Sequence, residues 1–159
     1  KMLEELKRNE HEMPLSEIAK ELTINKDNGR IKLYLIYKVL NYRKMNRELF
    51  QSGDYSPISA TGEKADTICS FARKFGNSMA LVVAPRFFTR LIQQPEGLPV
   101  GKEVWKDSVI VVPSEETGMK YRNIFTGEII APVRHNETTA LYLAEIFTNF
   151  PVALMERII

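Results

Sequence analysis

Between Arg30 and Phe50 the apolar positions follow a helical period. Placed at about 100° per residue, Ile31, Leu35, Val39, Tyr42, Met45 and Leu49 make one continuous stripe. Leu33, Ile36 and Leu40 fall on the opposite side, so the first half of this helix is apolar nearly all round. Such a helix needs cover on two sides, and little else in the sequence could supply both. The expectation is a fragment of something larger, and Lys1 in place of an initiating methionine points the same way. Asp27 or Asn28 can cap the helix, while Gly53 and Pro57 end it. Upstream, Met2, Leu3 and Leu6 predict a short helix that Pro14 breaks, and Leu15, Ile18, Ala19 and Leu22 predict a second.

After Gly53 the pattern becomes strand-like. Runs at 55–59, 65–75, 79–88, 104–113, 121–125 and 128–133 predict strands, with Gly76-Asn77 and Thr126-Gly127 as turns between pairs. Leu81–Ala84 and Val109–Val112 are continuous apolar runs, as expected for strands covered on both faces. Residues 93–101 and 114–120 read as loops. The stretch TALYLAEIF has good helix formers, but 139–143 and 150–155 are read as two final strands. The predicted fold class is α+β: N-terminal helices over residues 1–52, then an antiparallel β-sandwich of about seven or eight strands over 53–159.

Composition narrows the function classes. The apolar share of 44% and charged share of 26% are those of a soluble globular protein. A net charge of +2 is too weak to predict nucleic acid or an anionic membrane as partner. No apolar run approaches the roughly 18–20 residues a bilayer-spanning helix needs. Cys69 is the single cysteine, which excludes an internal disulfide and fits a reducing, cytoplasmic setting.

Candidate chemistry is sparse. His11 and His135 lie far apart with no ligand at helical spacing, so no metal site is predicted. Glu10-His11 reads as a solvated helix-end pair, and Arg134-His135 as part of a loop. Asp54, Glu63 and Asp66 cluster where the β region begins; turn chemistry is favoured over acid/base work. Cys69 sits in an apolar strand pattern and is expected to pack rather than react. Arg86, Phe87, Phe88 and Trp105, with Tyr121 nearby, fall at or near strand ends, where aromatic faces can stack on sugar rings and arginines can bond hydroxyls. Packing in the core is the competing use of those aromatics.

The run GRIKLYLIYKVLNYR followed by NRELFQSGDYSPI resembles the last barrel helix and exit strand of the α-amylase superfamily, glycoside hydrolase family 13. With ATGEKAD, ALVVAPRFFTRL, GLPVGKEVW, YRNIFTGE and LYLAEIFTNFPVALM, the likeness narrows to the malto-oligosyltrehalose synthase family and runs in order from Gly29 to Met155. The resemblance implies a (β/α)8 barrel upstream, as partner within the same parent chain, and a C-terminal β domain here. It implies isomerisation of the reducing-end α-1,4 linkage of a maltooligosaccharide to α,α-1,1, through a covalent glucosyl-enzyme, without metal or organic cofactor. Retaining chemistry of that kind needs two carboxyls about 5–5.5 Å apart. The family's Asp, Arg and His motifs do not occur in this sequence, so no catalytic residue is carried over.

Two other expectations follow from the N-terminal third. LSEIAKEL and the next helix mimic a helix-turn-helix, but a DNA reader needs a polar face, and Tyr34, Leu35, Ile36 and Tyr37 occupy it. Left uncovered, Leu33, Ile36 and Leu40 would each forgo about 1.5–3 kcal/mol. They are expected to recruit Leu15, Ile18 and Leu22 as cover, or to drive self-association. Titration with duplex DNA is expected to give no salt-dependent affinity; a log–log slope of several units would restore the DNA-reading alternative.

Overall fold

In the computed structural model, which describes residues 1–92 and 97–158, helices come first and two antiparallel sheets follow. The architecture is α+β, in the predicted order. Helix α1 (Met2–Glu12) runs into α2 (Leu15–Ile24) through Pro14. Helix α3 (Arg30–Met45) begins after Gly29, which holds the cap position expected for Asp27 or Asn28; Asn28 Oδ1, one residue earlier, accepts the Arg30 N–H at 3.0 Å. The predicted single long helix breaks at Asn46, and α4 (Arg47–Gln51) carries the stripe on to Leu49. Gly53 then turns the chain into the sheet. A side chain there would put a carbon 2.3 Å from the Leu49 carbonyl oxygen, so close backbone approach is what demands glycine.

The strands are β1 (Asp54–Pro57), β2 (Ser59–Thr61), β3 (Ile68–Phe75), β4 (Ser78–Pro85) and β5 (Val109–Val112). They continue with β6 (Lys120–Asn123), β7 (Ile129–Ile130), β8 (Val133–His135), β9 (Thr138–Tyr142) and β10 (Ala153–Ile158). One sheet has the order β1-β3-β4-β10-β6-β7 and the other β2-β5-β9-β8. Gly76-Asn77 is the predicted two-residue turn, joining Phe75 opposite Ser78. A second tight turn, Asn136-Glu137, joins His135 to Thr138 with both residues at positive φ.

Strand β4 shows how the layers assemble. Met79, Leu81 and Val83 face a core shared with Ile110, Val112 and Leu141 of the smaller sheet. Ala80 and Val82 face the other way, into a second core with Ile18, Leu22 and Leu49 of the helices. Strand β10 splits likewise: Ala153 and Met155 to the first core, Leu154 to the second. The six-stranded sheet is thus the middle of three layers. Its apolar run at Leu81–Ala84 arises from cover on both faces, as the sequence predicted.

Tyr34 fastens the helices to this sheet. Fully buried, it donates its hydroxyl to the Phe125 carbonyl at 2.7 Å and meets Phe150 edge-on with centroids 6.0 Å apart. Phe125 and Phe150 stack at 5.0 Å. The phenol is pushed well above its ordinary range, first by burial and then by Glu10, so it remains a donor.

Several expectations are corrected here. Met45, assigned to the buried stripe, is exposed; Tyr34, placed on the would-be reading face, is the deepest residue of α3. Leu33 is partly buried beside the α2 residues, as expected of a substitute cover, whereas Ile36 (43%) and Leu40 (58%) stay exposed. The run at 104–113 is a strand only from Val109; before it stands the short helix α5 (Lys102–Trp105). TALYLAEIF is both elements in turn, β9 and then the single-turn helix α6 (Leu143–Ile146). Arg134-His135 lies in β8, not in a loop. Of the loop expected at 93–101, residues 93–96 lie outside those described.

Tyr34→Phe, which strands the Phe125 carbonyl in the core, is expected to cost about 1–3 kcal/mol in urea denaturation. Tyr34→Ala, which also empties the aromatic cluster, is expected to cost about 3–5 kcal/mol. Equal stability of wild type and Tyr34→Ala would contradict this role.

Candidate functional site

The structure brings together three of the four predicted sugar-contacting residues. As β4 ends, the Arg86 N–H bonds the Thr67 carbonyl at 2.8 Å, and its Nε donates to the Asp66 carbonyl at 3.1 Å. Phe87 then takes φ 56° and ψ 52°, a left-handed conformation costly for a bulky residue, and the residue is 51% exposed. Phe88 beside it is exposed as well. The guanidinium carbons of Arg86 and Arg90 each lie 5.0 Å from the Phe87 ring centroid. Arg90 also pairs with Asp66 Oδ2 at 3.0 Å. A ring held by two cations is a less open stacking platform than the sequence implied.

Trp105 does not belong to this surface. It is fully buried, donates Nε1–H to the Pro99 carbonyl at 2.8 Å, and packs on Phe147 with centroids 4.8 Å apart. Tyr121 is also buried; its hydroxyl donates to Glu116 Oε2 at 2.6 Å, and Glu116 Oε1 accepts from Arg157 at 2.8 Å. Both aromatics serve the core, because each lies in the cluster between the two sheets.

The acids at the β-region entry each have a basic residue as neighbour. Glu63 accepts from Lys106 at 2.6 Å and lies 2.9 Å from Lys64, Asp66 is held by Arg90, and Asp54 stands opposite Lys74. The Lys106 and Lys64 ammonium groups pull the Glu63 carboxyl down to about 2, so it is ionised at any ordinary pH and a poor proton donor. His135 Nδ1 lies 3.1 Å from the Tyr142 hydroxyl. Cys69 is exposed, contrary to expectation; it alternates with buried Ile68, and the helices leave it uncovered. Glu10 is likewise not solvated, for its carboxylate sits 2.9 Å from Lys38 Nζ and receives the Tyr37 hydroxyl at 3.3 Å.

That last pair belongs to a feature sequence reasoning missed. A recess of about 690 Å³ lies between α1, α3 and the β6–β10 part of the larger sheet. Its charged walls, Glu10 with Lys38 and Arg122 with Glu156, come from four elements, so no local spacing could have shown them. The one signal along the sequence was the polar set Lys38, Asn41 and Asn46, on α3 and just after it, which lines the recess.

No family model matches the chain, and no curated protein matches it. Solved structures do. Maltooligosyltrehalose synthase from Arthrobacter ramosus aligns with a TM-score of 0.58 and 26% identity over 88% of this chain. The chain resembles part of that enzyme. A single-residue mutant of the same enzyme aligns with a TM-score of 0.59 and 24% identity over 89% of this chain. The matches cover only 16% and 17% of the maltooligosyltrehalose synthase chains. Among the described residues no helix is long and apolar enough to cross a membrane.

An NMR titration of the Glu63 carboxyl is expected to have its midpoint at about 2. Because the folded value is lowered, whatever stability the group lends is complete above its ordinary value of 4.5 and lost as pH falls through about 2. Lys106→Met is expected to raise the midpoint toward 4.5; a wild-type midpoint already at 4.5 would contradict the pairing.

Proposed function

We propose that the chain is a non-catalytic, C-terminal portion of a maltooligosyltrehalose synthase-like enzyme of glycoside hydrolase family 13. On this reading the parent is an isomerase of trehalose biosynthesis that converts the reducing-end α-1,4 linkage of a maltooligosaccharide to α,α-1,1. The observation that carries the reading is the alignment itself: nearly all of this chain on about one-sixth of the enzyme. Glu63 and Asp66, each tied to cations, add support, since the acid of a retaining pair must give up a proton and a carboxylate held ionised by cations does so poorly.

The role assigned to the chain is mechanical. The exposed side of α3, with Ile36 and Leu40, is the surface proposed to meet the catalytic barrel of the parent chain. Alone, the same side is proposed to favour self-association. The three-layer body would hold that helix rigid through Tyr34. A cytoplasmic location is proposed with the activity, since a lone cysteine suits a reducing compartment. Arg86, Phe87 and Phe88 remain the residues proposed to touch a maltooligosaccharide on the β side; their exposure and the strained backbone at Phe87 favour them.

Incubated with maltoheptaose, the chain is expected to form no non-reducing product in a coupled trehalose-release assay. Turnover well above a heat-denatured control would overturn the non-catalytic assignment.

A further inference from the structure

A second hollow, of about 510 Å³, runs beside α3 on the side toward β1 and β3. Leu35, Val39 and Arg43 follow one another at a spacing of four, so they line one wall over about 12 Å of helix. The floor is a cross-strand row, Phe71 opposite Val82 and Val82 opposite Leu154. Leu35, Val39, Phe71 and Val82 are only half-buried, so nothing in the chain closes the hollow over them.

The groove is polarised along its length. At the Leu35 end stands Phe125, whose carbonyl is held by the neighbouring Tyr34, and the lining there is apolar. At the other end two cations gather on Phe50. The Arg43 guanidinium carbon lies 5.6 Å from the Phe50 ring centroid, and Arg73 Nη2 donates to the Phe50 carbonyl at 2.9 Å. Among the described residues no carboxylate lines the groove, and neither arginine forms an ion pair. Arg73 is half-buried with its Nε sealed and unpaired, so it has given up water on that edge and gained no opposite charge in return. Elsewhere the half-buried cations Arg30, Lys38 and Arg157 each have a carboxylate.

We infer that this groove binds an amphiphilic monocarboxylate of the fatty-acid class, its head between Arg43 and Arg73 and its chain along Leu35, Val39 and the Phe71–Val82–Leu154 row. The charge asymmetry selects an anion, and the long apolar wall selects an unbranched tail. Part of the Arg73 fork is spent on Phe50, so the donors left suit the two oxygens of a carboxylate better than the three of a phosphate. The volume falls in the range of small-molecule pockets. The inference stands apart from the enzyme resemblance, and its test does not read turnover.

The test is an NMR titration of the whole chain with octanoate, with octanol, octylammonium and octyl phosphate as controls. The methyl signals of Leu35, Val39, Val82 and Leu154 are expected to shift and saturate at millimolar octanoate. Octanol is expected to bind about tenfold more weakly, the worth of one charge-assisted hydrogen bond, and octylammonium not at all. Arg43→Met removes an exposed charge and keeps the stem; it is expected to weaken octanoate about tenfold and leave octanol unchanged. Arg73→Gln, which keeps an amide donor, is expected to do the same wherever its spectrum retains the wild-type dispersion. No saturating shift at those methyls, octanol binding as tightly as octanoate, or unchanged octanoate affinity in Arg43→Met would overturn the site. Tighter binding of octyl phosphate would overturn the choice of a carboxylate. Shifts of the same methyls on raising protein concentration without ligand would assign the groove to a second copy and overturn the inference.

Discussion

A strand that is apolar on both faces forces a third layer onto a β-sandwich. Strands β4 and β10 are the middle of the larger sheet and send alternate side chains into two cores. The smaller sheet satisfies one face. The other must be covered by something else, and the helices do so through Tyr34, Tyr42 and Leu49. The Tyr34 hydroxyl fixes where α3 sits, because it answers a carbonyl in the tight turn after β6. From that placement follow the exposed Ile36 and Leu40 on the far side of α3 and the recess beside Asn123 on the near side.

Periodicity carried much of this fold. The Gly76-Asn77 hairpin, the apolar run of β4 and the helical stripe were all legible, because each depends on residues adjacent in sequence. The demand for cover on two sides was also legible, but it was assigned to α3 as well as to the apolar strands, and only the sheet has it: Ile36 and Leu40 of α3 stay exposed. A helical wheel ranks residues by hydrophobicity, and it passed over Tyr34, whose burial is made tolerable by a hydrogen bond to a residue 91 positions away. Trp105 misled for a related reason: an aromatic near the end of a predicted strand reads as a platform for a sugar ring, and only its burial against Phe147 shows it to be core.

The candidate surfaces differ in how far sequence could reach them. Arg86, Phe87 and Phe88 are consecutive, and their exposure follows from the end of β4. The recess needs Glu10, Lys38, Asn123 and Glu156 brought together from four elements. Its balanced charges also left no trace in the composition, since matched pairs add nothing to a net charge. The maltooligosyltrehalose synthase structures that the chain resembles are several times longer than it, and it covers only 16% and 17% of them.

The central claim is that helices and sandwich share one sheet and so stand or fall together. The single tryptophan, Trp105, sits in the core between the sheets, and the helices lie over the opposite face. Denaturant unfolding should therefore be followed twice on the same samples, by Trp105 fluorescence and by helical circular dichroism at 222 nm. The account predicts coincident curves with one midpoint. Loss of the helical signal at clearly lower denaturant, with the Trp105 signal unchanged, would show that the sandwich does not need its helical cover and would contradict the account.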